Sequence, residues 1–125
     1  MLKKISLAAA VVIACASSLA FAAPATVADS AKGKVLVDAK GMTLYTFAKD
    51  SAGKSVCNGQ CLANWPALTA KPGAKDADGY SVISRDDGAR QWAYKGQPLY
   101  TWVKDSKPGD ITGDGVGGNW NLAKP

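Results

Sequence analysis

Short runs of β-branched, aromatic and aliphatic residues, each closed by Gly, Pro, Asp or Asn, set the hydrophobic pattern of this chain. Val35 to Val37 and Thr43 to Ala48 flank a Gly-containing turn at Asp38 to Gly41 and predict a hairpin. A loop follows over Asp50 to Lys54. Cys57 to Asn64 reads as a short helical turn that stops at Trp65-Pro66, because the residue before a proline disfavours the α region. Thr69 to Gly79 carries Pro, Gly, Lys and Asp without periodicity and reads as a connector. Beyond it, Tyr80 to Ser84 and Arg90 to Tyr94 flank Asp87-Gly88, a strong hairpin signal. Leu99 to Val103 then adds a third strand, with Pro98 at its start or edge because proline donates no ladder hydrogen bond. Lys107 to Gly118 holds five Gly and one Pro and predicts irregular backbone, before a last short strand at Trp120 to Leu122. Ala23 to Lys32 shows little pattern and reads as a flexible leader (residues 23–33). The expectation is an all-β domain of short strands with at most one helical turn.

The pattern repeats. Lys40 to Ser51 returns as Lys95 to Ser106 with eight of twelve positions identical at an offset of 55, and Asn64-Trp65 returns as Asn119-Trp120 at the same offset. The chain therefore reads as two related units, about 34–68 and 80–125, joined by residues 69–79. Such units do not bury an apolar face alone, so the copies should pack on each other. Alternation places Leu44, Thr46 and Ala48 on one face of the first repeat strand and Tyr45, Phe47 and Lys49 on the other. Leu99, Thr101 and Val103 oppose Tyr100, Trp102 and Lys104 in the second. Both faces are apolar enough to be covered.

The N-terminus changes where this domain is expected to work. Lys3 and Lys4, an apolar run from Ile5 to Leu19, and Ala20-Phe21-Ala22 form a signal peptide over residues 1–22, cleaved before Ala23. Val12-Ile13-Ala14-Cys15 also fits a relaxed lipobox, so lipidation at Cys15 is the alternative and would supply the only membrane attachment. Cleavage after Ala22 leaves 103 of the 125 residues, one domain's worth. Without Lys3 and Lys4, 13 basic residues face 10 acidic ones, a net of +3. That is too mild and scattered for a nucleic-acid partner.

Composition narrows the chemistry. The chain has no His and no Glu, which excludes Ser-His-Asp and Cys-His catalysis and the usual His-bearing metal sites. No cofactor is expected. Cys57 and Cys61, four apart, should pair in an oxidising compartment and stabilise the fold by about 2 kcal/mol on the chain-entropy estimate. Asp50 and Asp105 follow their repeat strands at the same distance. They read either as Asx-type turn formers or, across a pseudo-twofold, as a carboxylate pair like that of a glycosidase. Tyr45, Phe47, Tyr100 and Trp102, with Trp65 and Trp120, read as core aromatics or as the lining of a groove for a flat ligand. Asp110 to Gly115 has the oxygen spacing of half a calcium loop around Asp110 and Asp114. Its twelfth position is Asn121 rather than a bidentate Glu, so a Gly-rich surface loop is the expectation.

Leu44-Tyr45-Thr46-Phe47-Ala48-Lys49-Asp50 and Leu99-Tyr100-Thr101-Trp102-Val103-Lys104-Asp105 both fit the motif Y-x-[FWY]-x-x-D. Together with Cys57, Cys61, Trp65-Pro66 and the Gly-Asp-x-Thr-Gly run, they resemble the bacterial "secreted repeat of unknown function" family, often labelled predicted lipoproteins. The resemblance implies an exported envelope protein with no established reaction, some of whose relatives are linked to extracytoplasmic electron transfer. Three functions remain: a non-enzymatic module that binds a small ligand or partner through its repeat aromatics, an accessory docking on an envelope redox protein such as a cytochrome through Lys49 and Lys104, or an Asp-dependent hydrolase.

Overall fold

The computed structural model describes residues 23–125; the signal-peptide and Cys15 readings lie outside them. Seven short strands and one helical turn follow in order: β1 (Thr26–Ser30), β2 (Gly33–Val37), β3 (Tyr45–Phe47), α1 (Gln60–Asn64), β4 (Tyr80–Ser84), β5 (Arg90–Tyr94), β6 (Gln97–Pro98) and β7 (Trp120–Leu122). A 3-10 turn at Val116–Gly118 precedes β7. All strand pairs are antiparallel: β1 with β2, β3 with β7, and β4, β5, β6 as a meander. The fold is all-β, as the hydrophobic pattern predicts.

The expectation of a patternless leader is corrected by β1. Thr26 pairs with Val37 and Ser30 with Gly33 in a continuous five-residue ladder. Its side chains give little sign of this because much of the strand faces solvent, Val27 included. Backbone hydrogen bonds rather than an apolar face hold it in place. The third strand of the second unit, predicted at Leu99 to Val103, lies just before that span: β6 is Gln97–Pro98, and Tyr100 makes only isolated bridges. Regular pairing stops at Pro98, although Leu99 still donates to the Trp92 carbonyl (3.0 Å). Lys95 and Gly96 between β5 and β6 both have positive φ (51° and 85°), the two-residue turn whose twist matches its flanking strands.

The two units are interlocked rather than merely apposed. Tyr45 and Tyr100 exchange both backbone bonds, N–H to O at 2.8 and 3.0 Å, across a pseudo-twofold axis. Around this axis bonds recur 55 residues on. Leu68 N–H to the Leu99 carbonyl (2.9 Å) is matched by Ala123 N–H to the Leu44 carbonyl (2.9 Å), and Val103 to Asn64 (3.1 Å) by Ala48 to Asn119 (2.7 Å). The closing segment of each copy, 64–68 or 119–123, therefore pairs with the aromatic strand of the other.

This exchange lets both faces of the repeat strands be buried. Leu44 and Leu99 pack with Ala25, Leu36, Tyr80 and Ala123 in one core. Tyr45 and Tyr100 pack with Val35, Val37, Cys57, Trp65, Trp120 and Leu122 in a second. Alternate residues of one strand thus feed different cores, which is what a period of two requires.

Candidate functional site

The motif aromatics meet on the pseudo-twofold axis. Trp65 and Trp120 stack with centroids 3.7 Å apart and planes 3° apart. Phe47 stacks on the outer side of Trp120 (4.3 Å) and Trp102 on the outer side of Trp65 (4.0 Å), giving a continuous pile Phe47, Trp120, Trp65, Trp102. Tyr45 meets Trp65 edge-on at 5.4 Å and Tyr100 meets Trp120 edge-on at 5.1 Å, arrangements the ring quadrupole favours. The inner members Trp65, Trp120, Tyr45 and Tyr100 are buried, while Phe47 and Trp102 at the ends are partly exposed. Of the residues read as a possible ligand surface, the two tyrosines are therefore core. Phe47, Trp102, Lys49 and Lys104 remain at the surface, with the Lys104 ammonium 5.9 Å from the Trp102 ring centre.

Each motif tyrosine donates to the motif aspartate of the other copy. Tyr45 Oη bonds Asp105 Oδ2 at 2.7 Å and Tyr100 Oη bonds Asp50 Oδ2 at 2.6 Å. The second oxygens clasp loops, Asp50 Oδ1 accepting from Val56 N–H (2.7 Å) and Asp105 Oδ1 from Thr112 N–H (3.0 Å) and Thr112 Oγ1 (2.6 Å). Each aspartate thus accepts from the backbone of the loop it starts, in a clasp wider than a local Asx turn, six residues on from Asp50 and seven from Asp105. Every carboxylate oxygen of the two aspartates already has a protein donor. Burial raises the Asp50 carboxyl above its usual range, while bonds from Tyr100 and Val56 and the nearby Arg85 pull it down.

Burial, reinforced by the aspartate each one faces, pushes both motif phenols well above their ordinary value of 10.0. The folded state then holds these protons where the unfolded chain releases them. Stability is fully present below pH 10 and is lost as pH rises toward the folded pKa. With two such groups it should fall by up to about 2.7 kcal/mol per pH unit above pH 10. Chemical denaturation between pH 8 and 11.5 reads this slope, and Tyr45→Phe should roughly halve it.

The surroundings of the two clasps differ. Beside Tyr100 lies Arg85, only 5 % exposed, donating to Ser55 Oγ (2.7 Å), Gln91 Oε1 (2.8 Å), the Cys57 carbonyl (2.6 Å) and Asn58 Oδ1 (2.9 Å). Ser55 in turn shares a 2.6 Å bond with the Tyr100 hydroxyl. Cys57 and Cys61 are disulfide-bonded, Cα to Cα 5.2 Å, closing the loop that Arg85 holds. Beside Tyr45 the equivalent space is filled by Gly113, whose N–H donates to Tyr45 Oη at 3.1 Å. A Cβ at Gly113 would lie 2.9 Å from the rings of both Trp65 and Tyr45 and 3.0 Å from Trp102. Gly113→Ala should therefore destabilise by about 1–3 kcal/mol through overpacking, read as a lower urea midpoint. A neutral result would mean that the ring pile can part.

Asp110 and Asp114 are engaged by the protein. Asp110 accepts from Ser106 N–H and Oγ and from Lys107 N–H and Nζ, which hold its carboxyl far below the usual range. Asp114 pairs with Lys32 (2.8 Å) and accepts from Leu122 N–H. Among the described residues no three His, Cys, Asp or Glu side chains gather as a metal-binding group.

One groove opens on the motif. A cavity of about 440 Å³ is lined by Phe47, Asp50 and Ser51 of the first copy with Lys95, Gln97 and Asn121 of the second. Sequence reading missed Lys95, Gln97 and Asn121 because they come from a turn and strands brought in by the exchange. On the other side, the loop after Asp105 lies against Gly41 through Pro108 and is tied down by Thr43 Oγ1 donating to the Asp110 carbonyl (2.7 Å).

No helix among the described residues is long and apolar enough to cross a membrane. No curated protein and no solved structure is significantly similar to the chain. A family described as "secreted repeat of unknown function" matches twice, over residues 26–69 and 81–124, in the same 55-residue register as the exchanged hydrogen bonds. The chain belongs to this family of secreted repeats of unknown function.

Proposed function

We propose that the chain is an exported, non-enzymatic binding module of the cell envelope, and that its ligand site is the groove beside Phe47. The observation that carries the reading is the division of labour within the repeated motif. Its tyrosines and aspartates are consumed in reciprocal hydrogen bonds, whereas Phe47 borders a groove that Gln97, Asn121 and Lys95 also line. An aromatic face beside several hydrogen-bonding side chains suits a small polyhydroxylated ligand such as a short saccharide, whose ring stacks while its hydroxyls bond. A thermal-shift panel of mono- and disaccharides tests this, because a ligand at a hundred times its Kd stabilises by about 2.7 kcal/mol. A hit should be weakened about tenfold or more by Phe47→Ala in calorimetry. A panel without any shift at millimolar concentration overturns the saccharide assignment.

The signal-peptide reading sends the protein to the periplasm or outside the cell, with a Cys15 lipid anchor as the alternative. Intact mass of the exported chain distinguishes an Ala23 start from a lipid-bearing Cys15.

A second reading, an accessory to extracytoplasmic electron transfer, is favoured by the four-ring pile, one end of which reaches the surface beside Lys104. Association with an acidic c-type cytochrome should then weaken as salt rises; no association at low salt removes this reading. The hydrolase reading finds less support, since Asp50 and Asp105 both carry structural hydrogen bonds.

A further inference from the structure

The connector between the repeats builds a second cleft, away from the motif. Residues 70–80 fall between the two family matches, yet they are pinned at both ends. Ala70 N–H bonds the Arg90 carbonyl (3.0 Å), and Ala77 and Tyr80 exchange backbone bonds at 2.9 and 2.8 Å. Between these ties the chain turns, with Ala74 N–H on the Lys71 carbonyl (3.0 Å), and leaves a cavity of about 540 Å³ against Leu68 and Trp92. That volume is within the usual range of about 300–1,000 Å³ for small-molecule sites.

The walls of the cleft are mainly apolar, while its charges are one-sided. Lys40, Lys71 and Lys75 border it, all three exposed, and none is paired with a carboxylate among the described residues. The single acid in the lining, Asp38, has one oxygen engaged by the N–H groups of Lys40 and Met42. The neighbouring Asp76 accepts from Val82 N–H. Unlike the other three tryptophans, Trp92 takes no part in the central pile.

We infer that this cleft binds a small amphipathic anion, an aryl or short-chain alkyl carboxylate whose apolar body lies against Leu68 and Trp92 while its charge meets the lysines. Apolar burial supplies affinity, and the unpaired ammonium groups select the sign of the charge. The inference is independent of the groove at Phe47.

Calorimetry with 2-naphthoate, compared with neutral 2-naphthalenemethanol and cationic 2-naphthylmethylamine, tests the inference on the full mature chain. Naphthoate should bind saturably and at least about tenfold more tightly than either analogue, with the margin shrinking as salt rises. Lys71→Ala with Lys75→Ala should remove most of that preference and leave the melting temperature unchanged, since both side chains are exposed. Phe47→Ala should leave naphthoate binding intact, which separates this site from the other groove. Octanoate in place of naphthoate tells an alkyl-chain preference from an aryl one. Equal binding of the three probes, no saturable binding in the millimolar range, or a charge preference that survives the double lysine variant would overturn the inference.

Discussion

Trp65→Ala should be among the most damaging single substitutions in this domain, lowering stability by about 3–5 kcal/mol. Trp65 is 4 % exposed and has an aromatic neighbour on each face, Trp120 at 3.7 Å and Trp102 at 4.0 Å, with Tyr45 against its edge. It also sits on the segment that crosses into the other copy, flanked by Asn64 and Pro66, whose carbonyls accept from Val103 and Thr101. The backbone is therefore held on both sides of the vacated space and cannot close over it, so the cavity penalty is added to the lost transfer energy. At about 4–8 °C per kcal/mol for a domain of this size, the melting temperature should fall by roughly 12–40 °C. Trp102→Ala, at the partly exposed end of the pile, should cost about half as much. If the two variants prove equally stable in urea titrations, the pile is not the centre of the core.

Arg85→Ala should lower stability by about 3 kcal/mol or more. The guanidinium supplies donors to Gln91 Oε1, which is wholly buried, and to the Cys57 carbonyl, and truncation leaves both without them. Buried acceptors stripped of a charged donor cost more than the bond's net worth, because no water takes its place. Arg85→Lys should fail to restore the wild-type value, since a point ammonium cannot span Ser55 and Gln91 on one side and Cys57 and Asn58 on the other. By contrast, the 3.3 Å ion pair with the half-exposed Asp87 contributes little, and Asp87→Ala should change stability far less than Arg85→Ala. A lysine variant as stable as wild type would show that charge alone, not the forked geometry, is needed.

Several elements could be read from local pattern because local chemistry decides them. Alternating residues around Asp87-Gly88 define β4 and β5 at the predicted bounds, and Trp120 to Leu122 forms β7. The helical turn stops at Asn64, just before Trp65-Pro66, and Cys57 and Cys61 are close enough in sequence that little else could intervene in their pairing. Two elements escaped for opposite reasons. β1 presents too few apolar side chains to mark a strand, and the strand at Leu99 loses regular pairing after Pro98 because its neighbours change there. Arg85 and Gly113 were equally hidden. An arginine in a polar turn looks solvated and a glycine in a glycine-rich loop looks generic until distant residues surround them.

The repeat in the sequence determined that two equivalent aromatic strands exist, that both faces of each are apolar, and that one copy alone carries a disulfide. These follow from identity, spacing and period, all local properties of the chain. Only the tertiary structure decided which copy supplies which partner. Each aspartate meets the tyrosine of the other copy, the tryptophans stack across the axis, and Lys95, Gln97 and Asn121 arrive beside Phe47. The reason is the exchange of closing segments: equivalent sequences permit pairing within or between copies, and long-range packing around the axis selects the second.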